Sequence, residues 1–332
     1  MTRTHIYSIF FIGTLLVSLF IGSCKTGHAE VSGYLAEVPY PQENPQSAEK
    51  IELGRKLFFD KRLSRDESIS CASCHHPEYA FTDRKKVSDG VGGGKTERNA
   101  PSLLNSAFLK TAMFDAHLTS LEMQVIVPIQ EHVEMDMKMG ELIERLKKDP
   151  YYTESAERIF NRKFDAYVLT RSIAAFERSL VSLNSRFDRY YYGQERSMLT
   201  QQERRGWKIF SEKLYCTKCH PAPYFTTFEA ECNGLYLDYG NDKGRFRIHG
   251  DTMDMGKFKI PSLRNIELTY PYMHDGSIES LDAVIDHYAK GGADYFNKHP
   301  IIKPFEITVL EKSYLIAFLK SLTDTSYIKK YR

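Results

Sequence analysis

Apolar residues recur at three-to-four spacing in seven stretches of the chain, 48–58, 142–147, 151–160, 166–181, 200–209, 281–288 and 307–322. That is the period a helix needs to turn one face inward, so the chain reads as all-α. One start is written out: Thr200 precedes Gln201, Gln202 and Glu203, a capping box with the glutamate at the third helical position. Glycine and charge collect instead in residues 88–97, Ser-Asp-Gly-Val-Gly-Gly-Gly-Lys-Thr-Glu, which predicts a loop. Residues 24–45, with Pro39, Pro41 and Pro45, predict a tether ahead of the first helix.

The pattern repeats. Residues 101–121 and 261–281 align without a gap at an offset of 160, and Pro101, Ser102, Leu103, Asn105, Met113, Asp115, Ser120 and Leu121 meet Pro261, Ser262, Leu263, Asn265, Met273, Asp275, Ser280 and Leu281. Upstream stand Gly54-Arg55-Lys56-Leu57-Phe58 and Gly206-Trp207-Lys208-Ile209-Phe210. A duplicated module explains this, and it predicts two tandem domains of one kind, 46–195 and 196–325, with 326–332 as a tail.

Between those markers lie the runs with the chemistry, Cys71-Ala72-Ser73-Cys74-His75 and Cys216-Thr217-Lys218-Cys219-His220. In Cys-x-x-Cys-His two thiols add across the vinyl groups of a haem and the next imidazole ligates its iron, so two c-type haems are expected, one in each of two tandem cytochrome c-like domains. Zinc sites and disulfide pairs share the bare Cys-x-x-Cys, but zinc needs four ligands and no second Cys/His pair lies near either run.

The N-terminus points to the same compartment. Arg3 precedes an apolar run over residues 6–22 that ends Ile21-Gly22-Ser23-Cys24, a pattern that resembles a bacterial lipoprotein signal over residues 1–23 with Cys24 lipidated. An uncleaved membrane anchor is the alternative. The expected location is therefore the periplasm or cell envelope, on a lipid anchor. Of six cysteines four go to haem and one to lipid, which leaves Cys232 without an internal partner and reads as a small buried apolar residue. The 45 Lys and Arg against 43 Asp and Glu exclude a strongly basic nucleic-acid binder.

Together, the two haem runs, the glycine loop followed by Arg98-Asn99-Ala100-Pro101, the stretch 124–135 and the segment from Leu263-Arg264-Asn265 to His274-Asp275-Gly276 resemble the bacterial di-haem cytochrome c peroxidases over roughly residues 45–325. The resemblance implies that hydrogen peroxide reacts at the N-terminal haem while the C-terminal haem takes in electrons from a small cytochrome or other periplasmic reductant. It also implies a calcium ion between the domains, held by Asn99 with the carbonyls of Thr269 and Pro271. A homodimer is compatible with it.

Peroxide reduction needs an open face opposite His75 and a group that moves a proton between the peroxide oxygens. Glu131 and Glu134 are the local carboxylates, on one face if their stretch is helical. By resemblance Glu134 is the catalytic carboxylate and Gln124 the active-site glutamine. Members that need prior reduction carry a loop histidine over the first haem; here that position is Val91, and no histidine lies between His76 and His117. A first haem open in the ferric state is expected. For the second haem, Met253, Met255, Met273, His274, His287 and Tyr288 all follow His220. Registered from His274, the family's methionine position falls at Tyr288, which resembles the related enzymes that mature the quinone cofactor of methylamine dehydrogenase.

Where the family places a tryptophan between the haems, this chain has Phe114-Asp115-Ala116-His117. Hole hopping through Phe114 is doubtful, His117 is either a polar group of the peroxide pocket or a surface residue, and Trp207 is expected to pack on the second haem. Three functions follow: peroxide reduction, peroxide-driven oxidation of a protein or organic substrate, and electron carriage without catalysis.

Overall fold

In a computed structural model the chain is described at residue 1 and over residues 37–331. The expected signal segment beyond Met1, the expected lipidation site Cys24 and the part of the expected tether up to residue 36 lie outside the described residues. The regular structure of the described residues is mainly helical, with long irregular connections: α1 (Ala48–Phe58), α2 (Leu121–Gln124), α3 (Ile126–Gln130), α4 (Met139–Leu146), α5 (Pro150–Phe160), α6 (Ala166–Arg178), α7 (Arg186–Tyr191), α8 (Gln201–Lys208), α9 (Phe246–His249), α10 (Leu281–Ala289), α11 (Val309–Ser321) and α12 (Ile328–Tyr331). The described strands are one antiparallel pair, β1 (Ala230–Glu231) and β2 (Phe258–Lys259).

Each half is built around one close helix pair, α1 on α6 and α8 on α11. The repeated glycines explain the closeness: a Cβ on Gly54 would lie 1.8 Å from the Ser172 carbonyl oxygen, and one on Gly206 1.9 Å from that of Tyr314. The predicted capping box at α8 forms, with Thr200 Oγ1 accepting from the Glu203 N–H at 3.3 Å. Asn105 and Asn265 both sit in the left-handed region, φ 64° and 58°, where asparagine is tolerated. Each receives the chain leaving the long helix of its half, since the Asn105 N–H donates to the Leu180 carbonyl at 2.7 Å and the Asn265 N–H to that of Leu322 at 3.2 Å. Ser120 and Ser280 then cap α2 and α10.

Two large apolar clusters result, beside a small third one of Cys232, Tyr239 and Phe258. One joins Leu53, Leu57, Phe58, Phe81, Ile129 and Phe176, and Tyr327 returns to it from the C-terminus. The other joins Phe187, Phe210, Phe225, Ile285 and Phe318. Links between the halves include Arg98 Nε to Asp242 Oδ2 at 2.6 Å, Arg84 Nε to the Leu268 carbonyl at 3.0 Å and the Lys259 N–H to the Phe114 carbonyl at 2.6 Å.

Three expectations change. Residues 38–45 are docked rather than a tether: Val38 and Asn44 are buried, and the Asn44 amide donates to Glu122 at 2.7 Å and to the Arg171 carbonyl at 3.0 Å. The long helix from 166 stops at Arg178 because the Asn105 side chain captures the Ser182 N–H at 2.9 Å and draws the chain out of the helix. Glu131 and Glu134 do not share a helical face, since α3 ends at Gln130 and a tight turn follows, with the Glu134 N–H donating to the Glu131 carbonyl at 3.0 Å.

Candidate active site

Both Cys-x-x-Cys-His runs fold alike. Cys71–Ser73 and Cys216–Lys218 are single 3-10 turns, and the His75 and His220 N–H groups donate back to the carbonyls of Cys71 and Cys216 at 3.0 and 2.9 Å. Each imidazole Nδ1 contacts a backbone oxygen, Phe81 at 2.8 Å and Phe225 at 2.9 Å. With Nδ1 protonated and so engaged, Nε2 keeps its lone pair for a metal. Phe81 and Phe225, both at positive φ (58° and 53°), turn their carbonyls to that task. The four thiols are free of disulfides, and burial raises all of them, Cys74 to about 11 and Cys216 to about 12. Among the described residues no group of three or more His, Cys, Asp or Glu is placed to hold a metal ion. Two thiols on one turn beside an imidazole with a free Nε2 fit a thioether-bound haem and leave zinc short of ligands.

Around the first run a cavity brings Cys71, Cys74 and His75 together with Gln124 and Glu134, walled by Phe58, Ile69, Leu103, Val125 and Ile173. Burial, helped by the neighbouring Glu131, pushes the Glu134 carboxyl up to about 7. Glu131 itself is exposed. The glycine loop is tied to this turn: the Val91 N–H donates to the Glu134 carbonyl at 2.9 Å, and a Cβ on Gly90 would lie 1.9 Å from the Val133 oxygen. Val91 is buried, and it is Asp89 and Thr96 of the loop that line the cavity.

Sequence reasoning missed Glu177. This buried residue of α6 lines the same cavity, its Oε2 lacks a hydrogen-bond partner, and so does Oε1 of Gln124. Burial is the largest cause raising its carboxyl to about 8, with Arg178 opposing and Glu122 adding. The available signal was a carboxylate directly after the apolar run Ile173-Ala174-Ala175-Phe176, one turn on from Ile173 on the buried face of α6.

Near the second run, the Tyr288 phenol is raised first by burial, with Asn233 opposing through a hydrogen bond and the Cys219 and Cys216 thiols adding. Of the three titratable candidates, His274, His287 and Tyr288, Tyr288 is the one shifted by both of these thiols. The Met273 sulfur accepts from Asn233 Nδ2 at 3.4 Å, His274 stacks on Phe258 at 3.7 Å, His287 Nε2 lies 3.2 Å from the Asn233 carbonyl, and Met253 is exposed. Trp207 packs among Phe187, Tyr191, Phe210 and Phe318. Lys259 is lowered to about 8 by burial and its ammonium has no ion pair among the described residues, an arrangement that suits a haem propionate.

The remaining candidates are placed as follows. Asn99 donates its N–H to the His274 carbonyl at 2.8 Å and its Nδ2 to that of Lys85 at 2.7 Å; Thr269 and Pro271 flank Tyr270. His117 is not part of the cavity lining; it lies among Asp115, Arg247, His249 and Arg245, and its Nδ1 has no partner. Cys232 is fully buried, with its sulfur 3.4 Å from the Tyr239 hydroxyl.

A repeated fold with a matched Cys-x-x-Cys-His turn in each half defines a protein of the di-haem class. A family model described as di-haem cytochrome c peroxidase matches residues 48–196. The chain is 39% identical over 289 residues to the methylamine utilization protein MauG of Methylorubrum extorquens, covering 86% of this chain and 81% of the relative. It is 32% identical over 314 residues to the cytochrome c551 peroxidase of Nitrosomonas europaea, covering 93% and 90%. The crystal structure of a MauG-like protein associated with microbial copper homeostasis superimposes with a TM-score of 0.85 at 36% identity, over 91% of this chain and 97% of that one. The chain belongs to the di-haem cytochrome c peroxidase family, which implies two c-type haems and oxidoreductase chemistry on peroxide.

Proposed function

We propose that the protein reduces hydrogen peroxide to water at the site of Cys71, Cys74 and His75, with electrons passing through the site of Cys216, Cys219 and His220. The observation that carries this reading is the convergence of Gln124 and Glu134 on the cavity that holds the first run. The c-type haems of the family supply the iron redox chemistry when bound. Glu134, poised near 7, takes a proton from the incoming peroxide oxygen and returns it to the departing one, the service of a general acid/base worth about 100- to 10,000-fold. Gln124 offers its amide N–H groups to a peroxide oxygen. Phe58, Leu103, Val125 and Ile173 keep bulk water from the reacting atoms.

Electrons come from a small cytochrome or a comparable periplasmic reductant, and the protein sits in the cell envelope on a lipid at Cys24. A calcium ion bound by Asn99 and the carbonyls of Thr269 and Pro271 steadies the contact between the halves.

A second reading is oxidation of a protein or organic substrate, and Tyr288 is the observation that favours it. A phenolate on the second iron stabilises high oxidation states, whereas methionine stabilises reduced iron. Steady-state consumption of peroxide by the haem-loaded protein, fed with reduced small cytochrome c, separates the two. Turnover supports the peroxidase. Failure to consume the cytochrome, together with a persistent oxidised state after one dose of peroxide, supports the oxidase.

A further inference from the structure

The duplication leaves two equivalent aspartates with different surroundings. Asp115 is fully buried between two guanidinium groups, Arg98 at 2.8 Å and Arg247 at 2.6 Å. Asp275, its counterpart 160 residues on, has no arginine or lysine ion pair among the described residues. It receives the Tyr236 hydroxyl at 2.5 Å and the Ser277 N–H at 3.1 Å. Asp115 has both carboxylate oxygens committed to guanidinium groups that cannot give up a proton, whereas Asp275 turns Oδ2 to a phenol that can. The second copy has thus exchanged a structural ion pair for a phenol aligned on a base.

The position of Tyr236 gives that exchange a use. Its ring packs on the small cluster of Cys232, Tyr239 and Phe258, and Phe114 packs on the same cluster. Three residues earlier, Asn233 donates to the Met273 sulfur at 3.4 Å, and its carbonyl lies 3.2 Å from Nε2 of His287, the neighbour of Tyr288 in the chain. Tyr236 is therefore one layer of side chains from the segment that links the halves and from the surroundings of the second run. It is also next to Leu237, which is 73% exposed.

We infer that Tyr236 and Asp275 form a proton-coupled redox site that holds one oxidising equivalent outside the two Cys-x-x-Cys-His sites. A phenol that loses an electron becomes a very strong acid, so oxidation is blocked unless a base takes the proton in the same event. Peroxide accepts two electrons and two solvent protons to give two waters. One of those electrons comes from the external reductant that feeds the second site, and the other is drawn from Tyr236, whose phenolic proton moves along the 2.5 Å bond to Oδ2 of Asp275. The products are a neutral tyrosyl radical and a carboxylic acid. One electron from an external donor, with the proton returned from Asp275, restores the pair. Phe114 itself has no ionisable proton and stays a packing element.

The source of the oxidant rests on the proposed peroxide chemistry, so the test has two arms. In the first, haem-loaded protein is mixed with hydrogen peroxide, freeze-quenched and examined by electron spin resonance. In the second, the same protein is oxidised by a flash-quenched ruthenium polypyridyl complex without peroxide. A tyrosyl signal that Tyr236→Phe abolishes is expected in both, with the haem spectra of the variant unchanged. Asp275→Asn, which keeps the phenol and removes the base, should slow radical formation by about a hundredfold or more. Loss of the signal in the peroxide arm alone overturns the peroxide chemistry and leaves the redox site standing. A signal that survives Tyr236→Phe, a normal rate in Asp275→Asn, or no tyrosyl signal in the flash arm overturns the inference.

Discussion

The peptide N–H of Val91 donates to the carbonyl of Glu134 at 2.9 Å, so the glycine-rich loop and the turn carrying the candidate acid/base form one hydrogen-bonded unit. The loop approaches the first cavity through Asp89 and Thr96, neither of which ligates iron strongly. With no histidine between His76 and His117, nothing in this loop opposes His75. The haem-loaded ferric protein should show one high-spin and one low-spin haem by electron spin resonance, without prior reduction. Two low-spin signals would contradict this.

Glu134 and Glu131 differ in burial, and their substitutions should differ likewise. Glu134→Gln should leave the haem spectra intact and lower peroxide turnover by at least about tenfold, the lower side of what loss of an acid/base group costs. Glu131→Gln, at an exposed position, should change turnover far less. Because the Glu134 carboxyl titrates near 7, and its ionised form is the one that accepts the peroxide proton, the rate of reaction with peroxide should rise as pH increases through about 7. Glu134→Gln should remove that inflection. Equal effects of the two substitutions would move the assignment away from Glu134.

Glu177 offers a separate test of the cavity. Its carboxyl is raised to about 8, so between the ordinary carboxylate range and 8 the folded protein binds a proton that the unfolded chain has released. Stability from this group is complete at low pH and declines as pH rises through that window. Glu177→Gln imitates the neutral form, so denaturant midpoints of the variant should gain on those of the parent from pH 5 to pH 8. A constant difference across that range would show that Glu177 is ionised throughout.

The helices were readable because their apolar spacing is local: each of the seven predicted stretches overlaps a helix, and Thr200 caps α8 through the glutamate that its sequence context announced. The repeat was readable for the same reason, one residue at a time. What escaped depended on contacts made far along the chain. Asn105 ends α6 from more than seventy residues away, and Asn44 is drawn onto the protein by Glu122. Glu177 looks like part of a polar helix end until α1 covers α6 and closes the cavity over it. Similarly, Asp115 and Asp275 are identical letters in the repeat, and only folding gives one two arginines and the other a phenol.

Packing at the repeated glycines predicts paired defects. The Cβ of Gly54→Ala would sit 1.8 Å from the Ser172 carbonyl and 2.9 Å from the Phe176 Cβ, so α1 must move off α6. Gly206→Ala meets the Tyr314 carbonyl in the same way. Each should cost about 1–3 kcal/mol or more in chemical denaturation, against a small gain for Gly→Ala at an open helical position. Gly140, near the start of α4, has open space where a Cβ would project, with no atom within 4 Å; it is the matched control and should tolerate alanine.

The second site decides between the two functional readings. Tyr288 lies close enough to Cys216 and Cys219 for their charges to raise its phenol, while Met273 is engaged by Asn233. If Tyr288 binds the second iron, phenolate donation should hold that haem well below the potential of a His/Met pair and prolong the oxidised state formed with peroxide. Tyr288→Phe should then alter the low-spin spectrum, raise the potential and shorten that state. Met273→Leu should leave the spectrum nearly intact, because it removes only a hydrogen-bond partner of Asn233. The opposite pattern, a spectrum that follows Met273 and ignores Tyr288, would mark the second haem as an electron-entry centre with a methionine ligand. Under that outcome the oxidase reading loses its support and ordinary peroxidase turnover remains. The spectral shift is the deciding measurement, since lifetime also depends on Tyr236 and on any other group that can return an electron to the iron.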